Sequence, residues 1–226
     1  MLYNLLYPLK DNIFIFNIFK YITFRAAMAA FTTFFVSIFL GNYIIKYLKK
    51  NKIQDNNIIK EGCTKLYDMQ QHKRGTPTMG GLLIVLSVVF STLIWANLLN
   101  RYIIITVLTF FALAMVGFID DYIKLKKKSS HGLSMLSKFT GQLVIGIILG
   151  IVLYLDKNVS TELYFPFFKN LVIDLGLFYI LFVVIVVCGS SNAVNFSDGL
   201  DCFAVGCIIM TALAFSILSY VSGHIK

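Results

Sequence analysis

Residues 102–119 run for eighteen positions without a charged side chain, and the run stops at two adjacent carboxylates, Asp120 and Asp121. A helix needs about 20 such residues to cross a hydrocarbon core of about 30 Å, where each backbone N–H and C=O must find its partner within the segment. That length commits this part of the chain to a transmembrane helix. Comparable runs lie at 22–45, 79–99, 139–155, 171–188 and 202–221, and Arg25, near the start of the first, can reach outward to the interface. The expected fold is all-α: a polytopic integral membrane helical bundle of five to six transmembrane helices forming one transmembrane domain over 1–226. Glycines 141, 146 and 150 in the fourth run permit close helix packing.

Composition excludes the soluble alternatives. The chain is 58% hydrophobic and only 14% charged, against about 25% charged for soluble domains. Its net charge of +9 sits in short lysine-rich segments between the apolar runs, which speaks for membrane topology and against a nucleic-acid partner. Alternate threading places 46–78, 120–138 and 189–201 on one side of the membrane, with thirteen of the twenty Lys and Arg residues. The positive-inside bias makes that side cytoplasmic and puts the N-terminus outside. Cys63, Cys188, Cys202 and Cys207 show no paired spacing, so buried thiols are expected rather than disulfides or a zinc site. Residues 1–20 lack the compact basic, apolar and small-residue order of a signal peptide and read as an amphipathic lead-in on the membrane surface.

Four polar stretches carry chemistry. Asp120 and Asp121 close the third run beside Lys124, Lys126, Lys127 and Lys128. Adjacent helical residues diverge by about 100°, so the two carboxylates converge on one cation only if the helix end frays. Two carboxylates suffice for Mg2+, which lets phosphates and water complete its shell. A plainer account makes the pair interfacial punctuation. Asn192, Asn195, Asp198 and Asp201 recur at every third position, which brings them to one surface if the segment coils, where they can bind a sugar, a base or a cation. Otherwise the segment is a polar loop with Ser197 or Asp198 capping the last helix. In Lys73-Arg74-Gly75-Thr76-Pro77-Thr78, the proline opens a helix whose first-turn donors, with the Thr76 and Thr78 hydroxyls, make an anion site, or simply a basic flank. Lys124 and Lys138 are placed to reach a phosphate, whereas Lys126, Lys127 and Lys128 suit anionic membrane lipid.

The words KRGTPTMGG at 73–81, GFIDDYIK at 117–124, GLSMLSKFTGQ at 132–142 and NAVNFSDGLD at 192–201 occur in this order. Together they resemble the polyprenyl-phosphate N-acetylhexosamine-1-phosphate transferases, and the first word is particular to the phospho-N-acetylmuramoyl-pentapeptide branch. The resemblance implies transfer of phospho-N-acetylmuramoyl-pentapeptide from UDP-N-acetylmuramoyl-pentapeptide to undecaprenyl phosphate, giving lipid I and UMP with Mg2+, in the bacterial inner membrane. It implies catalytic and metal-binding roles for Asp120 and Asp121, phosphate contacts for Lys124 and Lys138, and substrate contacts for Lys73, Thr78, Asn192, Asn195, Asp198 and Asp201. It also implies a homodimer. One of the two aspartates is the family's proposed base, although a phosphate monoester with a second pKa of about 6 is already largely ionised at neutral pH and makes little demand on one.

Three departures qualify the match. Gly62-Cys63 begins a longer stretch than the family's usual Gly-Pro, and Asp201-Cys202-Phe203-Ala204 carries bulkier residues than the usual ending. Family members also continue beyond the position of Lys226, through a further aspartate and a histidine-rich loop, so the expectation is an N-terminal part that is inactive by itself. Alternative readings are a transferase of N-acetylglucosamine-1-phosphate onto the same lipid, and a non-catalytic transporter or scaffold. The second would place ionisable residues along the spans, which are nearly free of charge.

Overall fold

The computed structural model describes residues 2–11, 13–50, 80–127, 132–165, 171–197 and 203–223. Lys73, Thr78, Asp198 and Asp201 lie outside them. The chain divides into two units, Met1–Gly141 and Gln142–Lys226.

The first unit opens with a short helix α1 (Leu2–Leu6) and two 3-10 turns (Tyr7–Asp11 and Phe14–Lys20), followed by α2 (Ile22–Lys50), α3 (Gly80–Trp95) and α4 (Arg101–Lys127). Helix α5 (Met135–Tyr154) begins in this unit and continues into the second. The second unit adds strands β1 (Glu162–Tyr164) and β2 (Val172–Asp174) and helices α6 (Phe178–Ser197) and α7 (Phe203–Gly223). Five of these helices are long and apolar enough to cross a membrane, and α3, at 16 residues, is shorter. A rise of 1.5 Å per residue makes α3 about 24 Å long, a little under the hydrocarbon thickness.

Bulky side chains point outward: Phe39 on α2, Leu108 on α4, Ile148 on α5 and Met210 on α7 are all exposed. In water such surfaces would drive aggregation, whereas in lipid they meet an equivalent solvent. Among the described residues, the fully buried side chains are small and polar. Ser87 and Ser91 of α3 are 0% and 1% exposed, and their hydroxyls donate to Leu83 O and Ser87 O at 2.7 and 2.8 Å. Each hydroxyl is thus satisfied within its own helix and leaves a smooth surface. Leu83, Ser87, Ser91 and Trp95, four residues apart, form the stripe that α2 lies against. A Cβ at Gly41 of α2 would sit 3.3 Å from Leu83 Cδ2, and Trp95 stacks on Phe19 and meets Phe24 edge-on.

Helix α4 folds back antiparallel along α3. One cavity is lined by Ala96, Val88, Ile103 and Phe110, another by Gly81, Val85, Met115 and Phe118, so the end of one helix faces the start of the other. Asn97 and Asn100 shape the turn, their side-chain oxygens accepting from Leu99 N and Tyr102 N. In the second unit, the expected glycine packing is present. A Cβ at Gly146 would lie 3.2 Å from Val184 Cα, and one at Gly150 3.2 Å from Ile180 O, so α5 and α6 approach to backbone contact.

Several boundaries differ from the hydrophobic pattern. Residues 171–174 begin no helix; β2 pairs antiparallel with β1 in the register Glu162↔Asp174, Leu163↔Ile173 and Tyr164↔Val172. The fifth helix starts only at Phe178, after Gly176 takes φ +47, a left-handed turn that favours glycine. Asp174 therefore sits on the hairpin, where Thr161 Oγ1 and Gly176 N donate to it at 2.5 and 3.0 Å. These bonds hold its carboxyl below the usual 3.8. Helix α6 continues through Ser197, so 189–197 is helix and not loop. Helices α2 and α4 likewise continue into the lysine-rich segments, through Lys50 and Lys127. Apolar runs report the hydrocarbon, whereas the helix ends where its backbone hydrogen bonds end. Of the cysteines, Cys188 is buried as expected, but Cys207 lies exposed on α7.

Candidate functional site

Nothing in 118–127 breaks a helix, and Lys124, Lys126 and Lys127 in the last turn complement its dipole. Helix α4 therefore carries Asp120 and Asp121 within regular structure, and the expected fraying does not occur. Convergence is achieved differently. A residue three positions beyond Asp121 and four beyond Asp120 projects between them, and Lys124 occupies that place. Its Nζ lies 2.7 Å from Asp120 Oδ2 and 3.4 Å from Asp121 Oδ1. One cation is shared by both carboxylates without distortion of the helix.

The two acids differ in setting. Asp120 is buried, and Leu133 N donates to its Oδ1 at 2.8 Å while Lys138 Nζ stands 3.9 Å from Oδ2. Asp121 is more open, with 41% of its side chain exposed. Gly132 closes over the buried acid: a Cβ there would collide with Asp120 Oδ1 and lie 2.9 Å from the Asp120 backbone oxygen. Gly132 and Leu133, neither singled out as a functional residue by sequence reasoning, orient the carboxylate. The only trace was their place in the GLSMLSKFTGQ word. Beside Asp121 runs a cavity of about 360 Å³ between α3 and α4, lined by Gly81, Leu86, Phe111, Met115 and Phe118.

A second polar cluster forms within the second unit. Gln142, 2% exposed, donates from Nε2 to Ser191 Oγ at 2.9 Å and accepts at Oε1 from Asn192 Nδ2 at 2.8 Å. Asn192 Nδ2 also donates to Cys188 O at 2.8 Å. Helical geometry sets Asn192 and Asn195 on neighbouring positions of α6, as the three-residue repeat predicts. Ser191 was not foreseen, because a serine next to another serine carries no positional signal.

Among the described residues, no group of three or more His, Cys, Asp or Glu side chains could hold a metal. The donor set nonetheless fits a divalent cation of modest demand, since Lys124 already occupies a cation position shared by two carboxylates and Mg2+ needs no more than two from protein.

An acid pair sharing a cation and flanked by lysines thus stands at the end of a membrane-length helix. The chain belongs to glycosyl transferase family 4, whose description matches residues 103–226. More narrowly, residues 73–85 match the phospho-N-acetylmuramoyl-pentapeptide-transferase signature 1. Proteins of that name resemble the whole chain: 47% identity over 224 residues in Nitratidesulfovibrio vulgaris, covering 99% of this chain and 61% of the relative. The Rickettsia felis protein is 46% identical over 226 residues, covering 100% of the chain and 62% of the relative. That of Desulforapulum autotrophicum is 42% identical, covering 100% and 61%. The chain thus spans about three fifths of the length of these curated relatives.

Proposed function

We propose that this chain supplies the acid-pair centre of an enzyme that transfers phospho-N-acetylmuramoyl-pentapeptide from UDP-N-acetylmuramoyl-pentapeptide to undecaprenyl phosphate. A lipid phosphate oxygen forms a bond to the sugar-bearing β-phosphorus, the pyrophosphate bond breaks, and UMP leaves with lipid I as the other product. The observation that carries this reading is the single cation position shared by Asp120 and Asp121. Phosphoryl transfer depends on positioning and charge neutralisation more than on covalent chemistry by the protein.

Asp120 and Asp121 are the residues that would hold Mg2+. When bound, the metal neutralises charge on phosphoryl oxygens. Lys124 turns from the carboxylates to a phosphate oxygen, and Lys138, 3.9 Å from Asp120, supports it from the start of α5. Gly132 and Leu133 N keep the buried acid oriented. The apolar cavity that ends at Asp121 suits the first isoprene units of a polyprenyl phosphate. The motif match assigns substrate contacts to Lys73, Thr78, Asn192, Asn195, Asp198 and Asp201, on the nucleotide side for all but Thr78. The acid end of α4 faces the cytoplasm of a bacterial cell, where a nucleotide sugar is available.

A chimera in which residues 1–226 replace the matching part of a full-length relative tests this. Magnesium-dependent UMP release is expected, falling about 100-fold or more in Asp121→Asn with unchanged elution in detergent. Release that survives the substitution overturns the assignment, and release from UDP-N-acetylglucosamine alone replaces the substrate.

A further inference from the structure

Asp120 divides its carboxylate between a fixed partner and a movable one. Leu133 N donates to Oδ1 at 2.8 Å, while Oδ2 faces the Lys124 ammonium at 2.7 Å. Asp121 meets the same ammonium through its Oδ1 at 3.4 Å. The backbone N–H is fixed by the turn that carries it. Lys124 is not: its side chain is 40% exposed and its charge ends a flexible stem, so the head can swing clear while the helix stays as it is.

The position of Lys124 Nζ is also where a divalent cation bridging the two acids would sit. Mg2+ takes carboxylate oxygens at about 2.0–2.1 Å, so an ammonium left 2.7 Å from Asp120 Oδ2 would stand within about 5 Å of a doubly charged ion. Like charges that close repel, and the two carboxylates, already neutralised by the metal, have little left with which to hold a third charge. Lys124 is therefore either bound to the acids or released by them. Only in the second state is its ammonium available to an anion.

We infer that Lys124 makes the affinity of the site for a phosphomonoester depend on the divalent cation. Without the metal its ammonium is held by the acid pair; with the metal it is released to a phosphate oxygen. The ammonium keeps its proton throughout and changes only its partner. This exchange rests on the acid pair being the metal site, and it goes further by linking the two ligands. Coupling between sites is reciprocal, so a metal that raises phosphate affinity has its own affinity raised by the same factor. Metal and lipid phosphate are then taken up together.

Two titrations of the detergent-solubilised chimera test it: Mn2+ followed by electron paramagnetic resonance, and farnesyl phosphate, a short isoprenyl phosphomonoester, followed by calorimetry with and without Mg2+. Farnesyl phosphate is expected to bind about tenfold more tightly with Mg2+ than without it. Direct contact between metal and phosphate contributes to that factor in any protein, so Lys124→Met decides. It should cost farnesyl phosphate about tenfold in affinity when Mg2+ is present and less than about twofold when it is absent. The affinity for Mn2+ alone should rise about threefold, as an exposed ion pair no longer competes. Lys124→Gln takes its place if Lys124→Met does not fold. An equal loss with and without Mg2+ would make Lys124 a phosphate contact at all times, and no loss in either state would make it a structural partner of the acids; each overturns the exchange. Mn2+ affinity unchanged in Asp121→Asn overturns the metal assignment of the acid pair, and the exchange with it.

Discussion

The carboxylate cluster at the end of α4 and the amide cluster around Gln142 both bury polar groups beside membrane helices, yet they do so by opposite means. Around Asp120, charge is balanced by charge: Lys124 is shared between two acids, and Lys138 and Leu133 N complete the setting. Around Gln142, neutral donors and acceptors are matched one to one with Ser191, Asn192 and Cys188 O. An ammonium on a flexible stem can leave its carboxylates for a phosphate or yield its place to a metal. A matched amide network has no such freedom, because breaking any bond strands its partner. The first cluster is built for exchange and the second for fixing α5 against α6.

Gly132→Ala offers the largest effect and the sharpest test of the first half of that contrast. The added Cβ collides with Asp120 Oδ1, so the carboxylate turns away. Magnesium-dependent UMP release by the chimera is expected to fall about 100-fold, the cost of a misplacement of about 1 Å. Wild-type release would mean that the orientation of Asp120 is immaterial.

Gln142→Leu addresses the second half. It strands the Ser191 hydroxyl and an Asn192 N–H, and should lower stability by about 1–3 kcal/mol, measured by thermal unfolding in detergent. If the network is structural, the loss appears there and the KM for the nucleotide sugar is unchanged. A raised KM with unchanged stability would make Gln142, and not Asn192 alone, a contact of the nucleotide sugar.

The smallest effect concerns pH. Asp174 is held below its usual carboxyl pKa of 3.8, first by Thr161 and then by Gly176 N. A depressed folded-state value stabilises above the unfolded pKa and is lost as pH falls through the folded one. Hydrogen exchange at Leu163 and Ile173 should therefore accelerate on acidification below about 3.8. Exchange in α6 near Asn192, whose network contains no titratable group, should not. Asp174→Asn should remove the hairpin's pH response; a hairpin that still opens with acid would place its control elsewhere.

Much of this molecule was legible beforehand. Apolar runs nearly free of charge located each long helix, since length with little charge is the signature of a hydrocarbon crossing. Lys124 and Lys138 were read as placed to reach a phosphate, and in the structure both stand beside Asp120. Boundaries were read less well. The second strand of the hairpin, Val172–Asp174, follows the apolar Leu171 and so passed for the start of a span, and 189–197 is polar but remains helical because nothing in it interrupts the backbone. Gly132 and Ser191 escaped notice because a small residue acquires its role only from what lies opposite.

The sequence by itself determined that this chain spans a membrane with five or six helices, that its acids and lysines gather at helix ends, and which family it joins. These follow from composition along a line, where hydrophobic length and residue spacing act locally. Only the tertiary structure decided that Lys124 reconciles two divergent carboxylates on an intact helix, and that a glycine in a distant turn seats one of them. Those relations depend on side chains brought together across separate elements, and close packing, not sequence distance, sets which atoms meet.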